Sequence, residues 1–347
     1  MPFLVQLASD VDLKLLAAAG AAELDPVRLP QDELAHEWPV EWWYFAGHLV
    51  DADDPDERLS FMVTAIRGTK WFLPTAATVS LFKRIDHQRG PLPLLQSGGA
   101  FEVVYEGVDD PVAYQFRYRA SLLNFFAASP EAWDLDGTPG RYRVRLHDDG
   151  GTTLLDLSLR DPGPTVLLGD AGIVDYGEGH RLAYYARPCL VARGDAAFGG
   201  RRRRVHGSAW YERQWGSAPA DAYAWKYVNV SLDDGERWFL FHTRLGAAVR
   251  YYAARVSAGG ALEPLPFGAA DFRDLDVDGR PLASAITVAT PQGPLVLRVE
   301  PLFGAEDDLR SIYPGVPSFW ESACRVEGTR NGTPVRGWSM TELHGYG

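Results

Sequence analysis

Short apolar runs separated by turn residues recur along most of the chain. Residues 142–159, Y-R-V-R-L-H-D-D-G-G-T-T-L-L-D-L-S-L, contain an alternating run, a glycine-rich turn and a second run. A period of two indicates β-strands, because successive side chains of a strand point to opposite faces. Short strands at close spacing, with almost no helix between them, predict an all-β fold of antiparallel sandwiches or barrels.

Three dipeptides predict β-hairpins: Asp234-Gly235, Asp278-Gly279 and Asn331-Gly332 each stand between strand-like segments. A two-residue turn with positive φ at both central positions favours Asn-Gly or Asp-Gly. The one segment with a helical pattern is L-K-L-L-A-A-A-G-A-A-E-L, residues 13–24, and its glycine lowers the helix propensity. We therefore predict little helix.

The hairpin at Asp234-Gly235, taken as a two-residue turn, pairs Tyr227 with His242 and predicts one face rich in polar and aromatic groups. That face carries Trp225, Tyr227, Asn229, Trp238, His242 and Arg244. The prediction depends on the register, because a shift by one residue would separate the set.

The segment E-W-W-Y-F-A-G-H-L, residues 41–49, concentrates aromatic residues around two titratable groups. Alternation directs Glu41, Trp43 and Phe45 to one face and Trp42, Tyr44 and His48 to the other. Both faces are largely apolar, so we expect a barrel strand that is covered on both sides. One interpretation is that these aromatic residues are ordinary core. The other, which we favour, is that the face with Tyr44 and His48 meets a ligand and that Glu41 is structural.

A second constellation is H-G-S-A-W-Y-E-R-Q-W-G, residues 206–216. Alternation places His206, Ser208, Trp210, Glu212 and Gln214 on one face. A carboxylic acid beside apolar rings has its charged form disfavoured, which raises its pKa toward the range useful for a general acid. We predict a cavity wall on which Glu212 or His206 holds or delivers a proton; the alternative is a solvated edge strand.

The length of 347 residues favours two domains or one large β domain. Residues 194–204, G-D-A-A-F-G-G-R-R-R-R, have the composition of a linker, and their arginines are interpreted as a solvated loop. We therefore predict an N-terminal segment over 1–30, a first domain over 31–204 and a second over 205–347.

Composition excludes several classes of function. A formal net charge of −12 disfavours nucleic acid as a partner. No apolar run is long enough to span a membrane, and the N-terminus lacks the pattern of an export signal, so a cytoplasmic protein is expected. Cys189 and Cys324 are predicted to be free thiols, with a long-range bridge as the alternative. No phosphate loop, zinc motif or nucleophile elbow occurs, so no metal and no cofactor are predicted.

Four segments together resemble one family. E-W-W-Y-F-A-G-H-L is similar to the E-W-W-Y-x-x-G-H-L signature of the carotenoid 1,2-hydratase-like, or AttH-like, family. S-A-W-Y-E-R-Q-W-G resembles its A-W-x-D-x-Q/E-W-G segment, F-W-E-S its Y-W-E-G, and T-E-L-H-G-Y its closing E-L-T-G-Y. The four matches span about residues 36–346. Glu212 stands where the family commonly has Asp, which keeps the carboxyl group but moves it by one methylene.

The resemblance implies two lipocalin-like β-barrel domains packed together and a large apolar cavity without a cofactor. Members of the family hydrate isolated alkenes or fold a polyene for an intramolecular Diels–Alder reaction. We therefore expect an enzyme of natural-product metabolism that acts on an apolar, unsaturated polyketide or terpenoid. Cyclisation is ranked slightly ahead of hydration, because no strong acid stands out beside a directed base. A lipocalin-like carrier of an apolar ligand, without turnover, is the alternative.

The candidate residues follow from these readings, and the oligomeric state stays open. Candidate catalytic residues are Glu212, His206, Tyr44 and His48, and candidate substrate-binding residues are Trp42, Trp43, Trp71, Trp210, Trp225, Tyr227, His242, Arg244 and Trp320.

Overall fold

The protein is described from a computed structural model. It covers residues 24–33, 36, 38, 40–68, 77–103, 116–124, 127–148, 150–177, 179–217, 223–266, 268–304, 308–309 and 319–345. Over these residues the chain is almost entirely antiparallel β-structure in two sheets, as the alternating pattern predicts. The helical element among them is one short 3-10 turn, Gln31–Glu33. The helix predicted over residues 13–24 lies almost wholly outside the described residues.

The first sheet contains the strands from Val40 to Ser217. They are β1 (Val40–Asp51), β2 (Arg58–Gly68), β3 (Ala77–Asp86), β4 (Gly90–Pro91), β5 (Leu95–Val103), β6 (Phe116–Asn124), β7 (Ala127–Thr138), β8 (Arg141–His147), β9 (Thr153–Arg160), β10 (Val166–Leu167), β11 (Ile173–Gly177), β12 (His180–Phe198) and β13 (Arg201–Ser217). The path β12-β13-β1-β2-β3-β5-β6-β7-β8-β9 returns to β12, because β9 also pairs with β12. The first sheet therefore closes on itself as a barrel.

The second sheet contains the strands from Tyr223 to His344. They are β14 (Tyr223–Leu232), β15 (Arg237–Leu245), β16 (Ala248–Val256), β17 (Leu262–Leu265), β18 (Ala270–Val277), β19 (Arg280–Val288), β20 (Leu295–Pro301), β21 (Asp308–Leu309), β22 (Phe319–Arg330) and β23 (Thr333–His344). Its order is β17-β16-β15-β14-β23-β22-β20-β19-β18, with β21 paired to β22. This sheet is a half-barrel, and the two sheets together form the expected pair of lipocalin-like β units.

Buried apolar side chains form three clusters, which the period of two explains. One cluster fills the first sheet and includes Trp43 and Phe45, and another fills the second sheet and includes Trp320. The third lies between the sheets and takes residues from both, such as Tyr44 and Tyr227. The predicted division of β1 is thus confirmed: odd-numbered side chains enter the first barrel, and even-numbered ones meet the second sheet.

The linker predicted over residues 194–204 is a β-hairpin. Phe198 pairs with Arg201, and Gly199 and Gly200 between them have φ values of 58° and 76°. Two consecutive glycines can adopt positive φ without a Cβ clash, so they suit a two-residue hairpin turn as well as a linker. The arginines then begin β13, which pairs with β1 and β12. The predicted boundary at residue 205 therefore falls inside a strand of the first sheet.

The predicted hairpin at Asp234-Gly235 exists, but its register was wrong by one residue. Its loop contains three residues rather than two, because the backbone of Leu232 pairs with that of Glu236 and Gly235 has a φ of 95°. Tyr227 consequently lies opposite Phe241, not opposite His242. The hairpins at Asp278-Gly279 and Asn331-Gly332 do have two-residue turns with positive φ at both positions, as predicted.

The two cysteines are free thiols, as predicted. Within the part of the chain that the structure covers, no helix has the length and apolar character required to cross a bilayer.

Candidate functional site

Strand register aligns a row of residues across the face of the first sheet that meets the second sheet. Glu212 on β13 lies directly opposite Tyr44 on β1, and Tyr44 lies opposite Thr64 on β2. Paired residues of antiparallel strands have their side chains on the same face, about 5 Å apart. The motifs over residues 41–49 and 206–216 therefore meet at this row.

A matching row crosses the facing surface of the second sheet. Glu321 on β22 lies opposite Glu342 on β23, and Glu342 lies opposite Tyr227 on β14. Tyr227 in turn lies opposite Phe241 on β15. Two carboxyl groups thus lie side by side on adjacent strands; Glu321 is fully buried and Glu342 is half-buried.

Hydrogen bonds join the two rows across the interface between the sheets. The Tyr44 hydroxyl donates to Oε1 of Glu321, and the Lys83 amino group donates to the backbone carbonyl of Glu321. The Trp225 indole nitrogen donates to Oε1 of Glu342. The first sheet therefore supplies a phenol and an amino group to a carboxyl-bearing residue of the second.

Glu212 is held by donors from its own sheet. The Tyr184 hydroxyl and the Trp210 indole nitrogen donate to its Oε2 at 2.7 Å and 3.2 Å. The Tyr227 hydroxyl approaches the same carboxyl group from the second sheet without a complete hydrogen bond. Of the three carboxyl groups in the two rows, Glu212 has the most donors around it.

Burial shifts the protonation of these carboxyl groups. It raises the pKa of Glu321 to about 8, against the lowering effects of the Tyr44 hydrogen bond and the Lys83 charge. Burial followed by the charge of Glu321 raises the pKa of Glu342 well above its ordinary value. Burial also raises the pKa of Glu212, while the Tyr227, Tyr184 and Trp210 donors oppose that change. The row can therefore hold protons on carboxyl groups at neutral pH.

The phenols in the two rows, and that of Tyr184 beside them, stay protonated. Burial and then the neighbouring carboxyl groups raise the pKa values of Tyr44, Tyr184 and Tyr227 well above the ordinary value of a tyrosine. They therefore act as hydrogen-bond donors across the physiological range.

Two polar atoms in these rows have no hydrogen-bond partner among the described residues: Oε2 of Glu321 and the Tyr227 hydroxyl. A buried polar atom without a partner costs free energy, about 1–3 kcal/mol. Both atoms belong to the rows that face each other between the two sheets.

Comparison with protein families identifies the chain. The model of the AttH-like family matches residues 20–346, nearly the whole sequence. The chain belongs to the AttH-like family. Comparison with proteins of curated function finds no match.

Two solved structures are similar to this AttH-like protein. An AttH-type protein of Nitrosomonas europaea is 26% identical with a TM-score of 0.70, over 94% of this chain and 99% of the other. Kievitone hydratase of Nectria haematococca is 14% identical with a TM-score of 0.58, over 87% of this chain and 88% of the other. The second likeness extends to the fold alone.

Several of the residues predicted from the sequence meet in the two rows of this AttH-like chain. Glu212, Tyr44 and Tyr227 are members, and the Trp210 and Trp225 indoles donate to their carboxyl groups. Trp225 also stacks on His344, with ring centroids 4.1 Å apart. Trp42 packs at the margin of the same inter-sheet cluster. These side chains remain candidates for the site.

The two predicted histidines lie elsewhere. His206 is exposed and six residues from Glu212, which corresponds to about 20 Å along a strand. His206 and Glu212 share one face of β13 but lie far apart, because the strand is extended. His48 lies four residues from Tyr44 and hydrogen-bonds Ser60 at 2.7 Å. Neither histidine contacts a described carboxyl group of the rows.

The remaining predicted residues lie on other faces. Trp43 belongs to the core of the first barrel and Trp320 to that of the second sheet. The corrected register moves His242 and Arg244 away from the face of Tyr227: His242 stacks on Tyr251 at 4.7 Å, and Arg244 is exposed. Trp71 lies outside the described residues.

Sequence reasoning missed Glu321, Glu342, Tyr184 and Lys83. The first two stand inside F-W-E-S and T-E-L-H, two of the segments that carry the family resemblance. The available signal was a lone carboxyl group within an apolar strand, on the face opposite to Trp320 and Leu343. Tyr184 and Lys83 stand in apolar strands with no local feature that separates them from core residues.

Proposed function

We propose that this AttH-like protein is a hydratase-like enzyme that adds water to a carbon–carbon double bond of an apolar substrate held between the two sheets. The observation that carries the proposal is the carboxyl pair of the buried Glu321 and the half-buried Glu342, faced by the buried Glu212 across the sheets. Adding water to an unactivated alkene requires a proton donor, stabilisation of a carbocation, and a base that directs a water molecule.

The Glu321–Glu342 pair supplies the acid. Two adjacent carboxyl groups cannot readily ionise together, so the pair retains a proton at neutral pH. Oε1 of Glu321 accepts the Tyr44 hydrogen bond, which leaves Oε2 to carry that proton toward the substrate. The new C–H bond forms with the proton from Oε2, and the alkene becomes a cation.

Glu212 supplies the base. Its donors, Tyr184 and Trp210, stabilise the carboxylate form. In this role it accepts a proton from the water molecule whose oxygen attacks the cation. One alkene carbon thereby gains a hydrogen atom and the other gains a hydroxyl group. Tyr44 lies opposite Glu212 and donates to Glu321, which offers a route for returning the proton to the acid.

Aromatic rings around the rows suit a cationic intermediate, because the face of an aromatic ring attracts positive charge. Trp210, Tyr227 and Phe239 pack together, with the Tyr227 and Phe239 ring centroids 5.2 Å apart. Phe241 extends the same wall. An apolar, unsaturated polyketide or terpenoid fits this lining.

The carboxyl pair changes the ranking of the two reactions. The sequence favoured cyclisation because it offered no acid beside a base, whereas Glu321, Glu342 and Glu212 together supply both. Membership of the AttH-like family and the fold shared with kievitone hydratase support the same choice. Hydration therefore stands ahead of cyclisation, and a carrier without turnover is the remaining alternative.

The test incubates purified protein with kievitone and, separately, with an acyclic carotenoid in water enriched in heavy oxygen. Hydration predicts one labelled oxygen in the product. It also predicts that Glu321→Gln lowers turnover by about a hundredfold or more and Glu212→Gln by at least about tenfold, since general acid–base catalysis contributes such factors. Arg298→Gln, an exposed change on β20, is the matched control and should keep full activity.

Each other outcome selects an alternative. A rearranged product without heavy oxygen would replace hydration with cyclisation or isomerisation. Saturable binding of both compounds without conversion would favour the carrier. Full activity of Glu321→Gln would remove the carboxyl pair from the mechanism.

A further inference from the structure

A second polar region lies between the same two sheets, four residues along each strand from the carboxyl rows. On the first sheet His48 lies opposite Ser60, and on the second Trp338 lies opposite Arg325. Four residues of a strand span about 13 Å. The two regions are therefore opposite ends of one inter-sheet surface.

Arginines surround the Trp338 ring. The guanidinium carbons of Arg58 and Arg325 lie 5.7 Å and 5.9 Å from its centroid. Arg237 belongs to the same row, because Ser231 pairs with both Arg237 and Trp338. Two guanidinium groups, the half-buried Arg58 and the exposed Arg325, thus flank the Trp338 ring from the two sheets. The charge of Arg237 acts on the neighbouring His48.

None of the three arginines has a carboxylate at ion-pair distance within the described ranges. Arg237 donates only to the backbone carbonyls of Leu232 and Glu236, and its Nε is buried without a partner among the described residues. Positive charges of like sign repel, and partly buried ones lose hydration as well. An anion placed here would relieve both costs.

Neutral hydrogen-bonding groups complete the region. The Ser60 hydroxyl bridges His48 and His87 at 2.7 Å on each side. Burial, then His87 and the nearby arginines, lowers the pKa of His48 to about 3, and burial and Arg58 lower that of His87 to about 4. Nδ1 of His87 is buried and has no partner among the described residues, so it can serve an additional ligand atom.

Small and adaptable side chains connect the two ends. Ala46 lies opposite Met62 on the first sheet, and Ala323 lies opposite Met340 on the second. All four belong to the inter-sheet cluster. Methionine repacks readily around different shapes, so an apolar chain can run along this strip.

We propose that Arg58, Arg237 and Arg325 around Trp338 bind the carboxylate head of an amphipathic ligand, whose apolar chain extends toward Glu321 and Glu342. Guanidinium groups bind carboxylates through paired, charge-assisted hydrogen bonds, and Trp338 packs against the first carbons of the chain. The proposal rests on the proposed function, because it names the class of substrate for that reaction. It makes the substrate an unsaturated acid rather than a neutral hydrocarbon.

The test compares binding of cis-parinaric acid, a fluorescent polyunsaturated fatty acid, with that of its methyl ester, which keeps the chain and removes the charge. The acid should bind the unaltered protein at least about tenfold more tightly, the factor expected from one charge-assisted interaction. Added salt should weaken binding of the acid and leave binding of the ester unchanged.

Two variants test whether these arginines cause the tighter binding of the acid. The double change Arg58→Gln and Arg325→Gln should remove the advantage of the acid and leave the affinity for the ester unchanged. Arg298→Gln, an exposed arginine paired with Glu300, is the control that should keep the preference. Equal affinity for acid and ester, an equal loss for both in the double variant, or no saturable binding of the acid would overturn the proposal.

Failure of this proposal can be separated from failure of hydration. Glu321→Gln should abolish incorporation of heavy oxygen but leave the preference for the acid intact. A labelled product together with equal binding of acid and ester would reject the anion site alone. A preference for the acid without any conversion would reject hydration alone.

Discussion

Strands β1 and β13 carry two buried glutamates that face opposite sides of the same strand pair. Glu41 points into the first barrel and pairs with Arg213, and both side chains are completely buried. His36 adds hydrogen bonds to Glu41 from its backbone nitrogen at 3.0 Å and its ring at 2.8 Å. Glu212 points toward the second sheet and has only neutral donors.

The two glutamates differ in the groups that compensate the burial of their carboxyl groups. Arg213 lies over the Trp43 ring at 4.3 Å and also donates to the backbone carbonyls of Asp32 and Glu33, so it ties the N-terminal segment to the barrel. These contacts support the prediction that Glu41 has a structural role. Glu212 has no arginine partner and burial raises its pKa, and a carboxyl group of this kind is suited to proton transfer.

The largest expected effect comes from breaking the structural pair. Arg213→Met leaves Glu41 buried without its cation, which should lower the free energy of unfolding by about 3–5 kcal/mol. Urea unfolding monitored by tryptophan fluorescence measures the change. Arg298→Gln should change stability by less than about 0.5 kcal/mol. A loss below about 1 kcal/mol for Arg213→Met would mean that the pair of Glu41 and Arg213 does not stabilise the fold.

An effect that is smaller for each pH unit, about 1.4 kcal/mol, but that extends over a pH window is expected for the carboxyl pair. The pKa of Glu321 rises from about 4.5 to about 8 on folding, so within that window the native state holds a proton that the unfolded state releases. Its stabilising contribution is therefore complete below the window and is lost as the pH rises. Glu321→Gln removes this titration.

Urea unfolding of both proteins at several pH values tests the sign. The stability of the unaltered protein relative to Glu321→Gln should fall by about 1.4 kcal/mol per pH unit inside the window. Outside the window the two curves should run parallel, which is an internal control. A relative stability that rises with pH would contradict the assignment.

The smallest effect is expected from Tyr44→Phe. The Tyr44 hydrogen bond lowers the pKa of Glu321, so its removal should raise that pKa further. Infrared difference spectroscopy of the protonated carboxyl band measures the shift. Tyr142→Phe removes a comparable phenol–carboxyl contact, to Glu33 inside the first barrel, and serves as the control. An identical titration in both variants would separate Tyr44 from the carboxyl pair.

Much of the fold was accessible from the sequence because its signals are local. Alternation identified the faces of β1 correctly, and Asp278-Gly279 and Asn331-Gly332 form the turns that their residue types favour. The Asp234-Gly235 hairpin shows the limit: a loop one residue longer moves His242 to the other face, and the residue types allow both lengths. The Gly199-Gly200 turn likewise has a linker-like composition.

The candidate site was accessible only in part. Glu212 and Tyr44 were predicted because each stands in a conspicuous aromatic motif. Glu321 and Glu342 were not predicted, because their candidate role depends on lying beside each other and facing Glu212. His206 was favoured because it shares a face with Glu212, but the extension of a strand separates them.

The sequence by itself determined the all-β class, the family and which side chains share a face, because these depend on short-range pattern. Tertiary structure decided which faces meet. Glu212 and Glu321 are 109 positions apart in the chain, and only the packing of the two sheets brings them into one buried region. Burial there raises the pKa values of both. A proton-holding site therefore arises from long-range packing, while the residues that compose it come from local motifs.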